Sequence, residues 1–398
     1  MKFEVSKYPA WPNFTAEEVE AVKTVLLSNK VNYWTGNECR KFEDEFAAWC
    51  GVKHAITLAN GSLALELALR VLGIGNGDEV IVSPRTFIAS VACIVNVGAT
   101  PIFADVDRNS QNISFDSIIQ VYSQRTKAII CVHLAGWPCD MDPIMNFARQ
   151  NDLYVIEDCA QAHGAKYKNK HVGSIGHIGA WSFCQDKIIT TGGEGGMVTT
   201  NDKKLWQAMW SYKDHGKDFD EVLKNDSRHG FKWVHHKFGT NLRMLEIQAA
   251  IGRIQLRRLD GWLEERKRNA YLIWNSLENV KGLRIPTIPV YIGHAAYKCY
   301  IFIEVECLKR GWNRDRIMEE IWSHGVPCFA GSCPEVYLEK AFDGTGLRPK
   351  NRLPIAKELG ETSLMFLVHP GLTSKENLKT TDVVQAVMSL ARNEKSRS

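Results

Sequence analysis

The stretch SFCQDKIITTGGEGGMVTTND, residues 182–202, sets one lysine, Lys187, between an aromatic run and four glycines. A lysine in water has a pKa of about 10.4, but burial and nearby positive charge disfavour the ammonium and free the amine to attack a carbonyl. GGEGG alone says little, because glycine clusters occur in many turns. Its company says more. In LANGSLALELALR, Gly61 and Ser62 follow an apolar run and open a helical one, where free N–H groups and the helix dipole attract a phosphate; the plainer reading of Ser62 is a helix cap. In YVIEDCAQAHGA, Glu157 and Asp158 end an apolar run, the edge at which open parallel sheets gather ligands; the plainer reading is a turn acid. A phosphate cradle, a half-buried carboxylate and a lysine on strand-to-helix connections are together the equipment for pyridoxal phosphate.

These residues need a scaffold, and the rest of the chain supplies its pattern. Short runs rich in Val and Ile recur before helical segments: HAITLA before 62–72, EVIVS before 87–97, KAIICVHLA before 142–151, then LYVIEDCA. Runs apolar on both faces suit strands covered on each side, hence a mostly parallel mixed sheet in an α/β domain. TFIASVACIVNVGATPIFA is uncharged for long enough to imitate a membrane span, but Gly98, Thr100 and Pro101 break it, so it reads as buried helix, turn and buried strand. Lys166, Lys168 and Lys170 alternate with Tyr167 and Asn169, a solvated hairpin and not rivals to Lys187. After residue 203 the chain turns to charged helical stretches, notably EIQAAIGRIQLRRLDGWLEERKRNAYLIWNSL. A strand at KCYIFIEV, a helix over 315–324 and a last helix from Thr381 complete a smaller unit. The expected division is an N-terminal segment, 1–30, packed on the small domain, a large domain over 31–255 and a small C-terminal α/β domain over 256–398.

Composition excludes several classes. The chain has 398 residues, 45% apolar and 24% charged, with a net charge of +4 and its Lys and Arg interleaved with acids. That is a globular protein of more than one packed unit, with no basic block for nucleic acid or an anionic membrane. No apolar core of signal-peptide length opens MKFEVSKYPAWPNF, and no lipidation signal is recognisable, so the expected location is the cytoplasm. The eleven cysteines are dispersed without a C-x-x-C pair, and His133 near Cys131 and Cys139 lacks zinc-ligand spacing. Reduced, mostly buried thiols and no metal are expected.

The ordered runs NGSLAL, PRTFIASV, VHLAGWPCDM, VIEDCAQAHGA, SFCQDKIITTGGEGGMVTTND, GTNLRM and HPGLT, between about residues 8 and 373, resemble the DegT/DnrJ/EryC1/StrS family of pyridoxal-phosphate-dependent sugar aminotransferases, of aminotransferase fold type I. The resemblance implies that Lys187 holds the cofactor as a Schiff base and that Ser182, with Gly61 and Ser62, meets its phosphate. It gives Asp158 the pyridine nitrogen, Gln161 the phenolic oxygen and Phe87 a stacking face. It also implies that Asn241 reaches the phosphate of the neighbouring subunit's cofactor, hence a homodimer with shared active sites. His133, His163 and His215 stand in similar stretches, but lone histidines are more often satisfied core or surface residues. One departure concerns the loop after the lysine, where both Gly192 and Gly193 precede EGG, one glycine more than the common pattern.

The expected activity is transfer of an amino group, L-glutamate being the expected donor, to an NDP-linked 4-keto-6-deoxyhexose for a surface polysaccharide or glycan such as O-antigen. Amination at C3 is the alternative within the family. Dehydrating relatives carry histidine at the lysine position, or need grouped thiolates for an iron–sulfur cluster, where only Cys328 and Cys333 come near each other. From other classes, a silent cofactor- or sugar-binding protein and a plain diphosphate-binding protein remain as rivals. A transcriptional regulator is disfavoured, because fewer than about 60 residues precede the cradle, too few for a DNA-binding module and linker. Substrate contacts are expected from around Tyr33, YKDHGKDF and FAGSCPEVY.

Overall fold

A computed structural model describes residues 8–223 and 232–393. After α1 (Ala16–Leu27) and α2 (Glu38–Cys50), strand and helix alternate: β1 (His54–Leu58), α3 (Gly61–Val71), β2 (Glu79–Val82), α4 (Ala89–Asn96), β3 (Thr100–Phe103), α5 (Phe115–Val121), β4 (Thr126–Val132), α6 (Met141–Gln150) and β5 (Tyr154–Asp158). The hairpin β6 (Lys166–Tyr167) and β7 (Lys170–His171) precedes β8 (Ile178–Ser182), β9 (Gly196–Thr200), α7 (Lys203–Lys213), α8 (Phe219–Leu223) and the long α9 (Glu246–Leu277). Then follow β10 (Leu283–Arg284), β11 (Ile292–Gly293), β12 (Cys299–Ile303), α10 (Arg314–Ser323), α11 (Pro354–Thr362), β13 (Ser363–Phe366) and α12 (Ser374–Ala391).

Seven strands form one sheet in the order β1-β9-β8-β5-β4-β2-β3. Only β9 runs against the rest, pairing antiparallel with β1 and β8, so the expected mostly parallel mixed sheet of fold type I is present. Alternate residues serve opposite cores: Ala128, Ile130 and Val132 of β4 pack with α3 and α4, while Ile129 and Cys131 pack with α6. Both faces are therefore apolar, which is why these strands read as continuous Val/Ile runs. The uncharged segment is α4, a turn at Gly98 with φ +86°, and β3. The lysine-rich hairpin is also present, its turn made by Lys168 and Asn169 at positive φ. Among the described residues no helix is long and apolar enough to cross a membrane, and eight of the eleven free cysteines are buried.

The C-terminal part builds a three-stranded antiparallel sheet, β10-β12-β13, against α10, α12 and the second half of α9. The last helix starts at Ser374, earlier than the expected Thr381. Thr373 and Glu376 close a capping box there, and the first inward residues, Asn377, Thr380 and Thr381, are polar, so the apolar period does not reveal this turn. α9 runs unbroken for 32 residues through both parts, across the position expected to divide them. In the N-terminal segment the Tyr8 hydroxyl bonds to Thr380 and the Glu376 carbonyl of α12, while Glu17 and Glu18 of α1 pair with Arg257 and Arg258 of α9. Two acids pin other elements near the site. Glu246 accepts the backbone N–H groups of Glu38 and Cys39 at the start of α2, and Asp105 those of Ile355 and Ala356 at the start of α11.

Candidate active site

Because β1, β2, β4, β5 and β8 are parallel, their ends, Leu58, Val82, Val132, Asp158 and Ser182, lie along one edge of the sheet. Of the expected residues, Asp158 and Ser182 are two of these ends and Gly61, Ser62, Phe87, Gln161 and Lys187 follow them; Asn241 does not. Gly61 begins α3, and Asn60, not Ser62, is its cap: the Asn60 side chain accepts from the Leu63 N–H at 2.9 Å. The capping alternative for Ser62 is thereby overturned, since Asn60 does that work and leaves Ser62 exposed in the first turn. A Cβ on Gly61 would lie 2.6 Å from Cβ of Ser182, so the start of α3 sits directly on the end of β8 as only glycine permits. The Ser182 hydroxyl accepts from the Cys184 N–H at 3.3 Å.

Asp158 is 5% exposed, with one oxygen accepting from the Ser90 hydroxyl at 2.7 Å and the other from the Ala160 N–H at 3.1 Å. Burial pushes its carboxyl above the usual range, while those two hydrogen bonds and the charge of Lys187 pull the other way. Ser90 is held in turn by Thr86, hydroxyl to hydroxyl at 2.7 Å. Ser90 escaped the sequence reading, although a polar residue inside the apolar run FIASVACIV was the available signal. Glu157, the second strand-end acid, points elsewhere. It accepts from the N–H groups of Ile175 and Gly176 and meets His133 Nε2 at 3.0 Å. His133 Nδ1 accepts from the Cys139 N–H, so Nε2 is the donor to Glu157. Glu157, His133 and Cys159 offer atoms within 4.8 Å of one another, but Glu157 and His133 are saturated by these protein bonds and ask for no metal.

Lys187 lies in the loop after β8 with its side chain 18% exposed and Nζ 3.2 Å from Asp186. Asp186 also accepts the Tyr297 hydroxyl, and the Tyr297 ring centroid is 5.6 Å from Nζ. Burial works against the Asp186 charge, but Lys187 and Tyr297 outweigh it and hold the carboxyl below its usual range. The Trp11 indole donates to the Lys187 carbonyl at 2.9 Å. Asp186, Tyr297 and Trp11 went unnoticed, the last two because nothing in their local pattern marks them. The extra glycine is absorbed without a break. Gly192 and Gly193 take φ of +86° and +122°, and Thr190 anchors the loop to the Phe183 carbonyl and the Gly193 N–H.

Gln161 is part-buried and accepts the Ala135 N–H at 2.9 Å. Phe87, just before α4, is 68% exposed. Asn241 is exposed on a loop that pairs with Asp214, away from the contacts of Asp158 and Lys187. His163 is buried between Trp181 and Phe183; burial, then Lys187 and Arg266, bring its pKa down to about 3. His215 is exposed. Tyr33 is not open to a substrate: it is 3% exposed, its hydroxyl donating to Glu43 and Lys213 Nζ lying 3.7 Å from its ring centroid.

The arrangement fits pyridoxal phosphate. A helix start that only glycine can bring against Ser182 suits a phosphate, and a buried carboxylate whose charge burial disfavours gains from a cationic ring nitrogen. Comparison with known proteins agrees. Residues 12–388 match the model of the DegT/DnrJ/EryC1/StrS aminotransferase family. The chain is 58% identical to an aminotransferase from Psychrobacter cryohalolentis, with a TM-score of 0.95 over 97% of this chain and 100% of that one. It is 48% identical over 359 residues to a GDP-perosamine synthase from Caulobacter vibrioides, covering 90% of this chain and 91% of the relative. It is 33% identical to a dTDP-3-amino-3,4,6-trideoxy-alpha-D-glucose transaminase from Streptomyces venezuelae, covering 94% and 93%. The chain belongs to the DegT/DnrJ/EryC1/StrS aminotransferase family, and is a pyridoxal-phosphate-dependent sugar aminotransferase.

Proposed function

We propose that the protein transfers the amino group of an amino acid, L-glutamate, to the keto carbon of an NDP-linked 4-keto-6-deoxyhexose, and that the amino sugar enters a surface polysaccharide such as O-antigen. The observation that carries the reading is the placement of Lys187, Asp158 and the Gly61–Ser182 contact along one sheet edge. Similarity to the GDP-perosamine synthase supports a nucleotide-linked acceptor. Similarity to the 3-amino-sugar transaminase keeps C3 amination as the second reading.

In this assignment Gly61, Ser62 and Ser182 hold the cofactor phosphate through N–H groups and hydroxyls at the positive end of α3. Asp158 holds a proton on the ring nitrogen, with Ser90 fixing the carboxylate. Gln161 lies beside the phenolic oxygen, and Phe87 covers a ring face. When bound, the cofactor supplies an electron sink for the carbon that loses its proton. Lys187 binds the cofactor; once displaced by the donor, Nζ takes the donor's Cα proton and, in the second half-cycle, gives one to the sugar carbon that receives nitrogen. Asp186 and Tyr297 steady the freed amine. Asn241 completes the phosphate site of a partner subunit in a homodimer, and the enzyme works in the cytoplasm.

Borohydride treatment of the holoenzyme, followed by peptide mass spectrometry, is expected to fix the cofactor on Lys187. Lys187→Ala is expected to lose at least about a thousandfold in turnover, given what nucleophile and base each supply. A Lys187→Ala variant that still transaminates a keto-sugar nucleotide refutes the assignment. NMR identification of the product from a panel of keto-sugar nucleotides decides between C4 and C3.

A further inference from the structure

Beside the Lys187 loop lies a buried cation without a counter-charge. Arg266, on α9, is 2% exposed, and among the described residues neither its Nε nor its Nη2 has a hydrogen-bond acceptor. Nη1 alone donates, to the Tyr297 carbonyl at 3.3 Å. No acid forms an ion pair with it among the described residues; burial and Tyr297 are what act on its charge. A buried guanidinium with idle donors is costly, and such a cost is retained where a ligand supplies the acceptor.

Arg266 borders a cleft of about 200 Å³ shared with Trp11, Asp186, Tyr297, Lys298 and His369. Asp186 is committed to Lys187 and Tyr297, so the cleft opens on the flank of the nucleophile while its own acid is already countered. Arg266 and Lys298 are left as its unbalanced charges. Trp11 roofs the guanidinium, its ring centroid 5.0 Å from Cζ, and stacks on His369 at 5.8 Å. The space is of amino-acid size and not of nucleotide-sugar size. A guanidinium presents paired donors whose spacing matches a carboxylate, which an ammonium does not.

We propose that Arg266 receives a carboxylate of the amino-acid donor in this cleft, and that the keto sugar does not use it. The proposal rests on the transaminase reading and adds where the donor is told from the acceptor. Nε and Nη2 are sealed from solvent beneath Trp11. Docking therefore lifts the Pro9–Trp11 segment and changes the surroundings of that indole.

The test titrates glutarate, which has no amine to transfer, into cofactor-free protein and into holoenzyme, reading tryptophan fluorescence and calorimetric heat. A saturable change is expected in the wild type. In Trp11→Phe the optical signal is lost while the heat remains. In Arg266→Met binding weakens at least about tenfold, with part recovered in Arg266→Lys. In single-turnover work the glutamate concentration for half-maximal conversion of the cofactor rises by a similar factor in Arg266→Met. The sugar half-reaction, started from the amine form, changes less than about twofold. No glutarate binding to the wild type, or equal damage to both half-reactions, overturns the proposal. Should Arg266→Met fail to fold, the wild-type titration and Arg266→Lys decide. The glutamate half-reaction needs no sugar, so an error in the acceptor leaves this test intact, and failure of Lys187 to hold the cofactor is seen separately with borohydride.

Discussion

Asp158 is poised between opposing influences. Burial favours its neutral form, and the Ser90 hydroxyl, the Ala160 N–H and the Lys187 charge favour the carboxylate that a protonated ring nitrogen needs. Ser90→Ala removes one of those supports, so the pKa of Asp158 rises and the carboxylate is lost at a higher pH on acidification. Cofactor dissociation, followed by equilibrium dialysis against pH, should begin about one pH unit higher in Ser90→Ala, one unit corresponding to about 1.4 kcal/mol. An unchanged profile would leave Ser90 without the positioning role. Asp158 and Lys187 were readable from sequence because each follows an apolar strand and carries unusual chemistry for that place. Ser90 was not, because its role is a contact across 68 residues of chain. Arg266 was hidden for the same reason, one more basic residue in LEERKR until the fold buries it.

At the scale of elements, the cradle depends on how closely α3 and β8 approach. Gly61→Ala would put a methyl 2.6 Å from Cβ and 3.1 Å from Cα of Ser182. Backbone must shift, at a cost of about 1–3 kcal/mol. The expected outcome is a folded protein whose affinity for pyridoxal phosphate falls at least about tenfold, measured by fluorescence titration; undiminished affinity would remove Gly61 from the phosphate site. The strands were legible because a sheet covered on both faces writes runs of Val and Ile into the sequence. The start of α12 was not, since its buried side begins with Asn377, Thr380 and Thr381, and Asn377 bonds to Asn269 of α9 instead of packing as an apolar residue.

For the whole molecule, four buried or part-buried histidines set an acid limit. Burial brings His163 and His294 down to about 3, and His171 and His369 to about 4, from the ordinary 6.5. Below pH 6.5 the unfolded chain takes up protons that the folded one refuses, so their contribution is complete above that pH and drains away as pH falls toward 4. Calorimetry at several pH values should show the melting temperature falling between pH 7 and pH 5. A flat profile over that range would mean that these rings are protonated in place.

α9 is about 48 Å of helix without an interruption, at 1.5 Å per residue. Its first turn is fastened to α2 and its last turns lie in the core of the small sheet. A rod anchored at both ends leaves no slack chain between its hold on α2 and its place in the core of the small sheet. Arg266 lies on this helix between the turn fastened to α2 and the turns packed in the small-sheet core, so the proposed carboxylate site is built on a firmly held element.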